Sequence, residues 1–294
     1  MRYTLKNKRL ELKFDTLGGT LVSFRADGTE YLWQGDPVYW SGQSPVMFPI
    51  CGSLNGDQAE ICGTKSCAMK RHGFAKTMEF TAGEEKEDSI SFSLSANGET
   101  LKKYPCDFKL TIRYDLLADG IRFNYDVENR GKEKMPFFTG GHPAYKCPIN
   151  ENEKYDDYEI VFEKKENADC AYPWTENKAL LDSDRKRTIL KDEDRLTLKH
   201  ELFSDDALVF DSLKSRSVQY RNKKTGQGLK VDFQDFPYLV LWSSGNGGNF
   251  IAIEPWLGVS NRSKDDHVFE HKENVQYAAP GETKHYSFTV KLLK

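Results

Sequence analysis

Apolar and polar residues alternate with period two along most of this chain, and no helical period persists for three turns. Leu10-Glu11-Leu12-Lys13-Phe14 sets the pattern of a half-buried strand, with side chains pointing alternately to the two faces. Gly18-Gly19 turns the chain into Thr20-Leu21-Val22-Ser23-Phe24-Arg25, and Asp27-Gly28 turns it into Glu30-Tyr31-Leu32-Trp33, predicting a meander of hairpins. Beyond the loop Gly35-Asp36-Pro37 comes a proline-bounded apolar segment, Pro45-Val46-Met47-Phe48-Pro49-Ile50. Asn55-Gly56-Asp57 then has the composition of a type I′ hairpin turn.

From Met78 to Asn129 short strands are predicted at Ile90 to Leu94, Phe108 to Leu117 and Ile121 to Val127, with charged or glycine turns between them. One short helix fits around Thr100 to Tyr104. The stretch from Asp182 to Lys199 is mostly charged, with Ile189, Leu190, Leu196 and Leu198 as sparse anchors, and reads as excursion loops with short strands. Apolar segments return at Ala207 to Phe210, Ser217 to Arg221, Leu229 to Phe233, Tyr238 to Trp242, Phe250 to Ile253 and His285 to Leu292. There is no internal repeat and no Pro/Ser-rich linker. Many short strands broken by Gly, Asn and Asp turns predict an all-β fold, an antiparallel sandwich or barrel, in one domain spanning residues 1–294.

Composition narrows the function. Net charge is −3 with both signs interspersed, and no basic block with interleaved aromatics occurs, which argues against a nucleic-acid partner. The apolar runs, such as Tyr238-Leu239-Val240-Leu241-Trp242, are too short to cross a membrane as helices. Arg2 and Lys6 are followed by Asn7-Lys8-Arg9 rather than the apolar core of an export signal, so a cytoplasmic protein is expected. Its six cysteines (Cys51, Cys62, Cys67, Cys106, Cys147, Cys170) are then expected as reduced thiols, and their spacing completes no zinc motif. The 13% aromatic content suits a large sheet core, and equally a sugar site, where a ring face packs on the C–H face of a pyranose.

Three stretches carry candidate chemistry. In Met69-Lys70-Arg71-His72-Gly73-Phe74-Ala75 the histidine sits beside a cation, which favours the neutral imidazole, and a glycine, which permits close approach. A histidine that merely bonds its loop is the competing reading. His142, in Gly140-Gly141-His142-Pro143, is presented by a tightly defined turn; it is either a structural turn residue or a general acid. Glu254 closes the apolar strand Phe250-Ile251-Ala252-Ile253 and precedes Pro255-Trp256. Desolvation there would raise its pKa and make it a usable base, unless it pairs with Arg262 or a lysine. Asp206 is a further acid, for sugar hydroxyls or simply for solvent. His267 and His271 stand four apart in a hydrophilic segment without a zinc motif, and Gly245-Asn246-Gly247-Gly248 reads as a hairpin loop rather than a phosphate cradle.

Taken in order, Phe48-Pro49-Ile50-Cys51-Gly52, Arg71-His72-Gly73-Phe74-Ala75, Gly141-His142-Pro143-Ala144-Tyr145, Asp206-Ala207-Leu208-Val209-Phe210 and Ile253-Glu254-Pro255-Trp256 resemble the aldose 1-epimerase (galactose mutarotase) family. The closest branch is that of the aldose-epimerase-like proteins of lactose operons, and the order holds over nearly the whole chain. The resemblance implies a large antiparallel β-sandwich, a galactose mutarotase-like supersandwich, with a small-molecule sugar bound across one face and no cofactor or metal. It implies Glu254 as general base and His142 as general acid, with His72, Arg71 and Asp206 on the substrate. Family members usually carry arginine directly after Phe-Pro-Ile-x-Gly; here that position is Ser53, for which Arg71 is a partial substitute. Three alternatives remain: a hexose-6-phosphate 1-epimerase, a non-catalytic carbohydrate-binding protein on the same fold, and a glycoside hydrolase using Glu254 and Asp206. The sequence leaves the oligomeric state open.

Overall fold

A computed structural model describes residues 1–63 and 65–293. Strand accounts for 51% of the chain and helix for 7%, so the period-two pattern has become sheet almost throughout. The strands Arg2–Lys6, Leu10–Asp15, Thr20–Ala26 and Thr29–Glu30 form a four-stranded antiparallel sheet in chain order. Asp27 and Gly28 take positive φ (48° and 86°) at its last turn, as an Asp-Gly hairpin requires.

A 15-stranded sheet forms the body of the molecule. One end is the meander Thr81–Glu85, Ser89–Ser95, Phe108–Leu116 and Gly120–Asn129, closed by Thr283–Leu292. Here Leu110, Ile112 and Tyr114 lie directly opposite Val127, Tyr125 and Phe123, so the apolar set of each strand shares one buried face. The four-stranded sheet covers that face: Phe14 approaches Tyr114 at 4.7 Å and Phe92 at 6.1 Å between ring centroids. Each such buried ring contributes roughly 1.5–3 kcal/mol by leaving water. The fold is thus a large antiparallel β-sandwich, and its main buried cluster runs from Leu5 to Leu292.

The other end of the large sheet positions the site. Strand Phe250–Trp256 is buried at every residue, which explains its unbroken apolar run. It pairs with Tyr238–Trp242 on one side. On the other it pairs with two short strands in succession, Gly140–Gly141 and Ala144–Lys146. Between those two the chain leaves the ladder at His142-Pro143, opposite residues 253–255. Ile253 donates its N–H to the Pro143 carbonyl at 3.1 Å, and Pro255, two residues on, faces the interruption, where a missing N–H costs no ladder bond.

Three sequence expectations are corrected. Asn55-Gly56-Asp57 does take positive φ at Gly56 and Asp57, but as a 3-10 turn that leads into Gln58–Ile61 rather than joining two paired strands. The charged stretch from Asp182 is no excursion: Leu181–Thr197 is a 17-residue strand along the 16-residue Tyr158–Pro173. Its charges sit on an outer strand, and four register irregularities break the period that would have betrayed it. Glu254 stands inside its strand, not at the end. Among the described residues no helix is long and apolar enough to cross a membrane.

Candidate active site

The interruption at His142 leaves room on the sheet edge for side chains from three directions. Trp40, Arg71, His72, Lys76, His142, Asp206, Trp242, Glu254 and Trp256 are among the residues lining a cleft of about 470 Å³. All five residues singled out for chemistry in the sequence (His72, Arg71, His142, Asp206, Glu254) therefore open onto one cavity.

Its floor is an imidazole–carboxylate pair. His142 Nε2 lies 3.2 Å from Glu254 Oε2, with side-chain exposures of 8% and 1%. The contact follows from the topology, because the gap between the two short strands drops His142 directly opposite Glu254. Trp256 Nε1–H donates to the same Glu254 oxygen at 3.1 Å. Arg262 is engaged elsewhere, with Asp211 and Glu273, so the competing reading of Glu254 as its partner falls away. The Trp40 indole stacks on the His142 ring at 4.9 Å and 25°, while Trp242 meets it edge-on at 5.7 Å.

Burial governs the protons. It pushes His142 down to about 3 and Glu254 well above the usual carboxylate value, with Arg71 and the Trp256 hydrogen bond pulling Glu254 back only in part. Burial disfavours imidazolium and carboxylate alike, which favours the pair as neutral imidazole and carboxylic acid, with one proton on the carboxyl. A shift of that proton across 3.2 Å converts neutral histidine and carboxylic acid into imidazolium and carboxylate.

His72 is held differently. Its φ of +69° is a left-handed conformation that non-glycine residues rarely adopt. Two bonds to one residue fix it: His72 N–H donates to the Gly52 carbonyl at 2.7 Å, and Gly52 N–H donates to His72 Nδ1 at 3.1 Å. Nδ1 is thus an acceptor, and the neutral ring carries its proton on Nε2. Burial first, then His142, Arg71 and Lys76, keep the ring neutral. Arg71, which the sequence suggested as a cause, acts in that direction but after burial and His142. Gly52 itself has φ +70°, and any side chain there would run into the Ser260 backbone.

Arg71 and Asp206 meet across the mouth, with Nη1 and Nη2 of Arg71 at 3.2 and 3.3 Å from one Asp206 oxygen. Ser53 is only 2% exposed and is not among the residues lining the cleft. Its N–H donates to Ser260 Oγ at 3.0 Å, so the cleft cations are Arg71 and Lys76. Lys76 was not anticipated. It is buried enough to lower its pKa and donates to the Arg71 carbonyl at 2.9 Å, steadying the loop that carries Arg71 and His72. Trp40 and Trp242 were also missed as site residues. The one available signal for Trp40 was an aromatic pair, Tyr39-Trp40, in a Gly/Pro loop. Among the described residues no group of His, Cys, Asp or Glu is arranged to hold a metal ion.

Comparison with known proteins places this architecture. The family model for aldose 1-epimerase matches residues 1–277, and the chain belongs to that family; it is an epimerase-type isomerase. Among curated proteins it is similar to protein LacX of Lactococcus lactis subsp. lactis, in both plasmid and chromosomal forms, at 43% identity over 299 residues with all of each chain covered. Among solved structures it superposes on a galactose mutarotase related enzyme from Lactobacillus acidophilus, with TM-score 0.93, 28% identity and 100% and 98% of the two chains covered. A galactose mutarotase-like protein from Lactobacillus casei gives a TM-score of 0.91 at 26% identity, with 100% of both chains covered.

Proposed function

We propose that the chain interconverts the α and β anomers of an aldose by opening and reclosing the pyranose ring, with His142 and Glu254 as acid and base. The observation that carries this reading is their 3.2 Å contact at the floor of a sugar-sized cleft. Opening a hemiacetal removes a proton from the anomeric hydroxyl and adds one to the ring oxygen. Both oxygens sit on the same carbon, so acid and base are needed side by side. In the imidazolium–carboxylate form Glu254 takes the hydroxyl proton while His142 protonates the ring oxygen. The C1–O5 bond breaks, the aldehyde turns about C1–C2, and the reverse transfers close the ring on either face. The chemistry requires no net change in the proton count of the pair. Acid–base help of roughly 10²–10⁴-fold per group is sufficient.

The remaining residues bind. The Nε2–H of His72 is a fixed donor, the Arg71–Asp206 pair offers donor and acceptor to ring hydroxyls, and Trp40, Trp242 and Trp256 supply apolar walls. Arg71 is already paired with Asp206, and Lys76 with a backbone carbonyl. That favours a neutral sugar over a hexose 6-phosphate. Exchange NMR on glucose and galactose, with and without protein, is the test. Accelerated exchange between anomeric signals is expected. Saturable binding without acceleration would replace this reading with a carbohydrate-binding protein, and release of reducing sugar from a glycoside would replace it with a hydrolase.

A further inference from the structure

We propose that Cys62 and Cys106 form a modification site outside the sugar cleft: a dithiol that closes to an intramolecular disulfide by exchange with a small disulfide such as glutathione disulfide. Their sulfurs lie 3.9 Å apart, and both residues line a separate cleft of about 290 Å³ on the surface. Cys62 occupies the turn between strands Gln58–Ile61 and Lys65–Ala68, partly exposed and with φ +53°. Cys106 follows the short helix Thr100–Lys103 and is 8% exposed. The other four cysteines are closed to reagents: Cys51 and Cys67 are 1% exposed, Cys147 and Cys170 0%. One pair alone thus combines sulfur contact with an approach from solvent.

The step balances without further reactants. The Cys62 thiolate attacks one sulfur of the small disulfide, expels its first thiolate and leaves a mixed disulfide. Cys106 then attacks the Cys62 sulfur and expels the second thiolate, and the protons of the two cysteines pass to the two departing thiols. Two cysteines are oxidised and one disulfide is reduced. The sulfurs must close to about 2 Å, a movement within reach of side-chain rotation at an exposed turn. Burial raises the Cys62 thiol; the Cys106 sulfur and Lys65 act against that, and Glu270 and Glu133 with it. Burial raises the Cys106 thiol as well, so exchange is slower at neutral pH than for a free cysteine and is favoured by alkaline conditions.

Covalent closure would bridge positions 44 apart in sequence, enclosing Arg71 and His72 within the loop. Shrinking the unfolded ensemble in this way raises the melting temperature, by roughly 5 °C for a chain of this size.

The test uses the full chain incubated with excess glutathione disulfide at pH 8, alkylated and mapped by mass spectrometry. The expected result is loss of two thiols per chain, one cross-linked peptide joining residues 62 and 106, reversal by dithiothreitol, and a higher melting temperature in the oxidised form. Cys106→Ser should stop at the mixed disulfide on Cys62, and Cys62→Ser should keep all its remaining thiols. Six thiols surviving in the wild type, glutathione retained on Cys62 with Cys106 intact, or a cross-link between other cysteines would each overturn the proposal.

Discussion

Replacing Glu254 with glutamine separates what this carboxylate does for the reaction from what it does to stability. Glutamine keeps the shape and, with its amide oxygen at the Oε2 position, can still accept from Trp256 Nε1–H and from the Nε2–H tautomer of His142, so the fold should survive. Loss of the base should lower the anomerisation rate at least roughly 10²-fold, about 2.7 kcal/mol of barrier. Stability should move the other way above neutrality. In the folded wild type the pair binds one proton. Unfolded, with ordinary values of 4.5 for glutamate and 6.5 for histidine, it binds two protons at low pH, one between those values and none above 6.5.

Stability contributed by the pair is therefore flat between 4.5 and 6.5. Above 6.5 the folded state holds a proton that the unfolded state has released, and stability falls by about 1.36 kcal/mol per pH unit until the folded pair titrates. In Glu254→Gln only His142 remains, neutral in the fold, and its contribution becomes constant above 6.5. Above pH 6.5 the variant should thus gain on the wild type by up to about 1.36 kcal/mol per pH unit for as long as Glu254 keeps its proton, read as a melting-temperature gap that widens with pH. Differential scanning calorimetry of both proteins in matched buffers measures it. A gap independent of pH above 6.5 would refute the raised proton affinity of Glu254.

Other substitutions test the binding groups. Asp206→Asn should free Arg71 from its ion pair and weaken the sugar contacts, raising KM by about tenfold with a smaller change in kcat, measured by steady-state polarimetry. His72→Phe removes the Nε2–H donor and the acceptor for Gly52 N–H; kcat/KM should fall by roughly 10-fold or more, with His72→Gln recovering part of the loss. Gly52→Ala should destabilise by about 1–3 kcal/mol in urea titration, since it places a side chain at positive φ against Ser260.

The strands of the meander and the site motifs were legible because one face of each strand is buried and the other wet, so the sequence repeats the geometry. Leu110, Ile112 and Tyr114 show this directly. The hairpin built from Tyr158–Pro173 and Leu181–Thr197 was not legible, because its outer strand is mostly exposed and bulged, and a solvated charged strand looks like a loop. His142 and Glu254 could be singled out as residues, yet nothing local shows that the interruption between Gly140–Gly141 and Ala144–Lys146 brings them into contact. Lys76 and Trp40 act through neighbours distant in sequence, Trp40 on His142 for instance, so no local pattern marks them.

The most direct measurement is the initial rate of mutarotation of freshly dissolved α-galactopyranose and α-glucopyranose, followed by polarimetry with the wild type, Glu254→Gln, His142→Gln and the double variant at equal concentration. With acid and base acting as one unit, the wild type accelerates at least one sugar, each single variant loses roughly 10²-fold or more, and the double variant loses little beyond the worse single. A wild type no faster than buffer on either sugar, or single variants that retain its rate, would contradict the assignment of His142 and Glu254 as the working acid and base.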